Sequence, residues 1–410
     1  MENNILKNRI QKIRKELLKQ SKGAVLLLSS KPEIINTRDL TFDYKQDTNF
    51  YYFTGSHIKN TLMLIKANED EPLVLSPHQS KEEILWLGAN KSPKNLAKKI
   101  GGKFIECDLK EESVFKYLKE ADTLFYSSYE YSLSNKIAKK LLKENTSTLE
   151  RYKLPYKLIN QDFLITPLRQ IKEASEIENI KKAVNITLNS IKELENILRP
   201  GLTELQIKNF LENEFKKQGA LIAFDTIVAS GKNAATLHHT CSNKVLQKGE
   251  MLLLDLGAEY NMYAADISRT LPVSGAFSPL QEELVKGVKK AQNAAIKKAK
   301  SGITYGDFQK AADLEIIKLL KELGILKGTE KQILEKNLHR EYFPHSIGHS
   351  LGLDTHDTGR LFKDTVLKKN MVITCEPGIY FSKKIKNIMP LGIRIEDDIL
   401  IGDKESKVIG

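Results

Sequence analysis

Residues 344–357 read Pro344-His345-Ser346-Ile347-Gly348-His349-Ser350-Leu351-Gly352-Leu353-Asp354-Thr355-His356-Asp357. Three of the chain's eight histidines fall in this stretch. A single histidine is most often an ordinary core or surface residue. Three at this spacing point to a site, because neutral imidazole binds metals and exchanges protons near pH 7. Gly348 and Gly352 would let the backbone come close to whatever is bound. Downstream, Glu376 stands in Cys375-Glu376-Pro377-Gly378-Ile379-Tyr380, after the apolar run Met371-Val372-Ile373, and Glu396 stands in Gly392-Ile393-Arg394-Ile395-Glu396-Asp397-Asp398. A carboxylate inside an apolar run needs compensation, although either glutamate also reads as a strand-edge charge.

Upstream, Asp255 closes the apolar run Met251-Leu252-Leu253-Leu254, and Asp266 follows eleven residues later. The stretch 257–261 reads as a hairpin turn, so two strands could carry both carboxylates to one end of a sheet. Like charges held close need a cation between them or a raised pKa. Each aspartate alone reads equally as an ordinary strand-end residue. Together, Asp255, Asp266, Glu376 and Glu396 supply four carboxylates and His349 one imidazole. Four negative charges match two divalent cations. The oxygen-rich donors suit manganese, iron(II) or cobalt better than a cysteine-lined zinc site. Two such ions can activate a water and stabilise the oxyanion of an attacked carbonyl. No nucleophile elbow and no phosphate-binding loop offers a competing chemistry.

The 410 residues exceed one ordinary core and suggest two or three domains. A hydrophobic content of 41% with 28% charged residues fits a soluble globular protein. No apolar run approaches the length that spans a bilayer, and the polar start does not read as a signal peptide. Three scattered cysteines, Cys107, Cys241 and Cys375, argue against a disulfide framework and for the cytoplasm. The net charge of +12 comes from lysines spread over helical surfaces, which argues against a nucleic-acid partner.

Periodicity predicts an amphipathic helix over 5–20 and strands at 23–28, 50–53, 61–65, 72–75 and 123–126, with helices at 92–100 and 134–144. This is an α/β domain. A linker is expected over 160–167. Helices follow at 173–197 and 203–218, with Thr203 and Gln206 as a capping box, and again at 280–300 and 306–323. No internal repeat is legible.

The ordered set of an aspartate, a second eleven residues on, then HxxGHxxGLDxHD, EPGIY and GIRIEDD resembles the creatinase and methionine aminopeptidase superfamily. Within it the chain is most similar to the aminopeptidase P, or Xaa-Pro aminopeptidase, branch. Further matches are the segment 224–240 around His238, the segment 320–328, and 44–55 in the first domain. The resemblance covers nearly the whole chain.

It implies a creatinase/prolidase-type α/β N-terminal domain over 1–165 and an α+β pita-bread catalytic domain, built of two similar halves, over 166–410. By resemblance, Asp255, Asp266, His349, Glu376 and Glu396 are the metal ligands, and Glu376 takes the proton of the attacking water. His238, His345 and His356 match catalytic and substrate-binding histidines, while Tyr380 and Arg394 match pocket positions. Asp39 matches an aspartate that meets the substrate's amino end in tetrameric relatives. The implied activity is release of the N-terminal residue from peptides with proline second, using two divalent ions. Manganese is the first choice, with cobalt, iron(II) or zinc as alternatives. Implied partners are such peptides and further copies of the chain, as a homodimer or homotetramer, with no nucleic acid or membrane. The chain departs from the family pattern at His239, where tyrosine is common, and at Ala234-Ala235. Arg360 is the nearest counterpart of an arginine usually found just after the HD pair. A prolidase, which cleaves Xaa-Pro dipeptides, shares the ligand set and is the alternative reading, followed by a non-catalytic binding protein on the same fold.

Overall fold

A computed structural model describes residues 2–38, 40–88, 92–144 and 146–410. Asp39 lies outside the described residues. By contacts the chain divides into two units, Met1–Leu168 and Arg169–Gly410.

The first unit is built on a six-stranded mixed sheet. Its spatial order is Lys103–Glu106, Leu73–Ser76, Leu62–Lys66, Ala24–Ser29, Thr123–Tyr126 and Lys157–Asn160. The Ala24–Ser29 strand pairs antiparallel with Leu62–Lys66 and parallel with Thr123–Tyr126, and every residue of it is buried. Burial on both faces is why its sequence is an unbroken apolar run and not an alternation. The helix Glu2–Gln20 buries Ile10, Ile13 and Leu17 as its periodicity predicts, whereas Leu18, expected on the same face, is 44% exposed.

Two expectations fail here. The aromatic run 50–53 is not a strand but lies in the helix Thr48–Thr54. The Asp47 side chain accepts from the Phe50 N–H at 2.9 Å, and Gly55 closes the helix in a left-handed conformation at φ 54°. The two caps outweigh the β-preference of the aromatic residues, and Phe50, Tyr52 and Phe53 are buried. The supposed linker over 160–167 is also structured. Asn160 ends a strand, and Asp162–Gln170 is a helix despite Pro167 inside it. Burial of Leu164 and Ile165 outweighs the proline's lost hydrogen bond.

In the second unit the order of elements occurs twice. The helices Ala174–Ile197 and Glu204–Lys217 precede the sheet formed by Ile227–Ser230, Met251–Leu256 and Ile267–Pro272. The helices Pro279–Lys298 and Tyr305–Glu322 precede the strands Val372–Cys375, Gly378–Phe381, Leu391–Arg394 and Asp397–Leu400. This is the two-half arrangement that the resemblance implies. The repeat is invisible in sequence because helix-plus-strand geometry constrains only which faces are apolar, not which residues fill them. Thr203 caps the second helix and Gln206 returns the bond, as expected. Between the third and fourth helices, Gly287 lets the backbones come close. A Cβ there would stand 2.5 Å from the Leu319 side chain.

Register decides where the acids go. Met251–Leu256 pairs antiparallel with Ile267–Pro272, placing Asp255 opposite Ser268 and Leu256 opposite Ile267. The segment between is more than a turn. Ala258–Tyr260 pairs with Tyr263–Ala264 and with Leu221–Ile222, and the chain reverses at Asn261 and Met262, both at positive φ.

Candidate metal centre and active site

Asp266, His349 and Glu396 each present a ligand atom within 4.8 Å of the others. His349 Nε2 lies 3.4 Å from Asp266 Oδ2 and 3.6 Å from Glu376 Oε1. The tautomer follows from the other ring nitrogen. His349 Nδ1 is 3.1 Å from the Ser350 carbonyl oxygen, which can only accept, so Nδ1 carries the proton and Nε2 keeps its lone pair. Burial, and then His356 beside it, push the imidazole down to about 4, so it is neutral at physiological pH. That is the form that binds a metal.

The acids are held from behind. Ser268 Oγ donates to Glu396 Oε2 at 2.8 Å, and Thr374 Oγ1 donates to Glu376 Oε1 at 3.3 Å. The same Thr374 oxygen accepts from the His349 N–H at 3.0 Å, which ties the histidine loop to the strand. The approach is close. A Cβ at Gly348 would stand 2.1 Å from the Thr374 carbonyl oxygen, and one at Gly352 would stand 2.4 Å from Asp357 Oδ2. Both glycines therefore make room for protein atoms, not for a bound group.

Packing these charges together has an electrostatic consequence. Burial, followed by the neighbouring carboxylates, holds Asp266 and Glu396 well above the ordinary carboxyl range. Glu376 is raised to about 8, chiefly by burial, with Asp255 adding to the rise and Arg394 opposing it. Asp255 Oδ1 and Glu396 Oε1 are buried without a hydrogen-bond partner. Such orphaned oxygens are rare in folded proteins and call for an ion or a proton.

A polar relay flanks the acids. Arg394 Nη2 donates to Asp255 Oδ2 at 2.6 Å, its Nε to Ser268 Oγ at 2.8 Å and its Nη1 to the Tyr380 hydroxyl at 2.8 Å. Tyr380 in turn lies 2.9 Å from His345 Nε2. His345 Nδ1 faces the Ser346 carbonyl at 2.9 Å, so Nε2 accepts from the tyrosine. Burial, then Arg394, lower His345 to about 4, and burial raises Tyr380 to about 12. His356 is exposed, its ring 4.3 Å from that of His349. His238 is also exposed and close enough to His345 to disfavour its charged form. Arg360 is exposed, with its guanidinium 5.5 Å from the Phe362 ring.

Two families of sequence models match the chain. "Metallopeptidase family M24" covers residues 178–403 and "Aminopeptidase P, N-terminal domain" covers 7–125. The chain belongs to the aminopeptidase P family of M24 metallopeptidases. The Xaa-Pro aminopeptidase of Haemophilus influenzae is 32% identical over 94% of this chain and 90% of its own length. That of Escherichia coli is 29% identical over 97% and 93%. Solved structures of E. coli aminopeptidase P, one with the inhibitor Pro-Leu and one zinc-substituted in complex with product, superpose with TM-scores of 0.89 and 0.90. Each is 27% identical and is matched over 98% of this chain and 94% of its own. The aminopeptidase P fold, an N-terminal domain followed by a pita-bread domain, is therefore the fold of this chain.

Two buried acids around the candidate site residues, Glu204 and Asp398, escaped the sequence. Glu204, fully buried, accepts from the Ser230 N–H at 2.8 Å, from Asn233 at 3.0 Å and from Ser242 Oγ at 2.8 Å, and lies 2.9 Å from His239 Nε2. Burial alone would raise this carboxyl, but His239 and the other donors bring it down to about 2. His239 is thus committed to Glu204, on the loop that carries His238. Nothing in a Thr-Glu helix start distinguishes Glu204 from a solvent-facing first-turn acid. Asp398 accepts from the Asp266 N–H at 3.1 Å, a contact that depends on long-range register.

Proposed function

We propose that Asp255, Asp266, His349, Glu376 and Glu396 hold two divalent ions, manganese by preference, in a catalytic domain spanning 166–410 that follows in sequence an N-terminal domain spanning 1–165. The chain is an M24 metallopeptidase, and its function is that of an Xaa-Pro aminopeptidase. The observation that carries the ligand assignment is the fit of the donors. The lone pair of His349 Nε2 faces Asp266 and Glu376, and two buried carboxylate oxygens, on Asp255 and Glu396, have no partner. Four carboxylates and one imidazole favour manganese, iron(II) or cobalt over zinc. When bound, such ions supply an activated water and electrophilic stabilisation of the attacked carbonyl.

The chain's own residues supply the rest. Glu376, 18% exposed, is the proton acceptor, because it is ionised once the site is filled and it is open to the substrate side. His345, neutral and fixed in one tautomer between Ser346 and Tyr380, offers a defined face to the substrate. His238 and His356 orient the peptide and stabilise the tetrahedral intermediate, being exposed beside the half-buried His345 and His349. Arg394 and Tyr380 keep Asp255 and His345 in place. The substrates are peptides with proline in second position. An Xaa-Pro bond has no N–H and a fixed φ, so a rigid pocket can require it.

The three cysteines are free, which supports a cytoplasmic location. No described helix is long and apolar enough to cross a membrane. Exposure of Ile35, Leu40 and Phe42 on the first unit supports assembly as a homodimer or homotetramer. Elemental analysis of the purified protein tests the ligand set. Two divalent ions per chain, with activity lost to a chelator, is the expected result. Metal-free protein whose activity ignores the chelator would refute it.

A further inference from the structure

Arg169 and Lys172 keep only 2% and 1% of their side-chain surface exposed. Both end on one carboxylate, that of Asp357, the residue after His356. Arg169 Nη2 donates to Asp357 Oδ1 at 2.5 Å and Lys172 Nζ to Oδ2 at 3.0 Å. Arg169 Nη2 also donates to Asp354 Oδ2 at 2.9 Å. The sequence reading passed over both cations, because they sit just after the expected linker.

The loop they hold is short and closed on itself. The Asp357 N–H donates to the Ser350 carbonyl at 2.9 Å, and the Gly352 N–H donates to the Asp354 carbonyl at 3.1 Å. Gly352 has no side chain to displace the Asp357 carboxylate. The loop begins at His349 and carries His356, whose ring it sets 4.3 Å from that of His349.

Buried ion pairs rarely stabilise a fold relative to apolar residues of the same volume, since desolvation cancels most of the attraction. What they can do is set direction. A cation on each oxygen leaves the Asp357 carboxylate one orientation, and Arg169 Nη2 adds a second bond at Asp354. Burial would favour a neutral Asp357, but Arg169 and Lys172 outweigh it and hold the carboxyl below its ordinary range.

We propose that Arg169 and Lys172 are positioning residues for His356. Acting through Asp357, they fix the loop backbone so that the imidazole points at the substrate. This rests on the reading of His356 as a substrate and transition-state residue. The ligand His349 also has a hold outside the clamped loop, its N–H on Thr374 Oγ1, so loss of the clamp should spare the metals.

The test compares Lys172→Met and Arg169→Lys in the full-length, metal-loaded enzyme, each with His356 intact and with His356→Ala. With His356 present, Lys172→Met should lower kcat about a hundredfold, the cost of a displacement of roughly 1 Å. KM and the metal content per chain should change little. In the His356→Ala background the same substitution should lower kcat by no more than about twofold, the scatter of independent free energies. Its effect on Tm should be equal in both backgrounds, which separates a structural contribution from positioning. Arg169→Lys keeps the charge and loses the guanidinium, and should show a smaller loss with the same dependence on His356. Losses that multiply in the two backgrounds, unchanged kcat in both clamp variants, or loss of bound metal would overturn the proposal. If His356→Ala alone leaves kcat at wild type, the reading of His356 fails and the proposal with it.

Discussion

Loading the metal-free protein with manganese at pH 7 should release about one to three protons per chain, because carboxylate ligands must be ionised to bind. The count follows from the site. His349, lowered to about 4, is already neutral at pH 7 and contributes none. Glu376, raised to about 8, is then roughly nine-tenths protonated and contributes close to one proton. Asp266 and Glu396, held well above the ordinary range by burial and by neighbouring carboxylates, supply the remainder. Each released proton makes the affinity rise about tenfold per pH unit over this range. The stability of the metal-free protein should run the other way. These groups have folded-state pKa values above their unfolded ones. The contribution of Glu376 is therefore complete below its unfolded value and is lost as pH rises through about 8, and Asp266 and Glu396 act in the same direction. Titration calorimetry in two buffers of different ionisation enthalpy measures the proton count directly. Equal heats in both buffers at pH 7 would mean that the carboxylates are already ionised, and the argument from crowded buried charge would be wrong.

Glu376→Gln should lower kcat by about 10² or more, the usual worth of general-base help. A variant that keeps over a tenth of the rate would remove Glu376 from that role. His238→Ala and His356→Ala should reduce kcat while leaving two ions bound. Metal analysis that finds an emptied site would make either residue a ligand or its support. Arg394→Met strips donors from Asp255, Ser268 and Tyr380 at once and should cost about 3–5 kcal/mol, the usual penalty for breaking a buried pair. Denaturant unfolding with a loss under about 1 kcal/mol would contradict it, being the scale of an exposed pair. Gly348→Ala drives a Cβ into the Thr374 backbone and should destabilise by about 1–3 kcal/mol, as overpacking does. An unchanged Tm would mean that the loop yields freely.

What the sequence showed and what it hid divide along physical lines. The helices at 173–197 and 203–218 were legible because the apolar period and the Thr203–Gln206 box are local. Asp266, His349 and Glu396, which the fold brings within 4.8 Å of one another, drew attention in the sequence only as members of an ordered set, since each acid alone reads as an ordinary strand-end residue. The residues that hold them drew none. Ser268 reaches Glu396 across 128 positions, and Arg169 reaches Asp357 across 188. Neither residue looks unusual where it stands. The run 50–53 misled because Asp47 and Gly55 decide its conformation from outside the run. The glycines of the histidine stretch were rightly read as places of close approach, but the approaching atoms belong to Thr374 and Asp357.

Metal-dependent cleavage before a second-position proline is the activity expected of this enzyme. It is tested most directly by steady-state kinetics on an Xaa-Pro-Yaa tripeptide, the matching Xaa-Pro dipeptide and an Xaa-Ala-Yaa control, each with manganese and after chelation. Xaa should be released from the proline tripeptide with the highest kcat/KM of the three, and that activity should be lost on chelation and recovered on adding manganese. A dipeptide value well above that of the tripeptide would make the enzyme a prolidase, and turnover indifferent to chelation would contradict the metal centre itself.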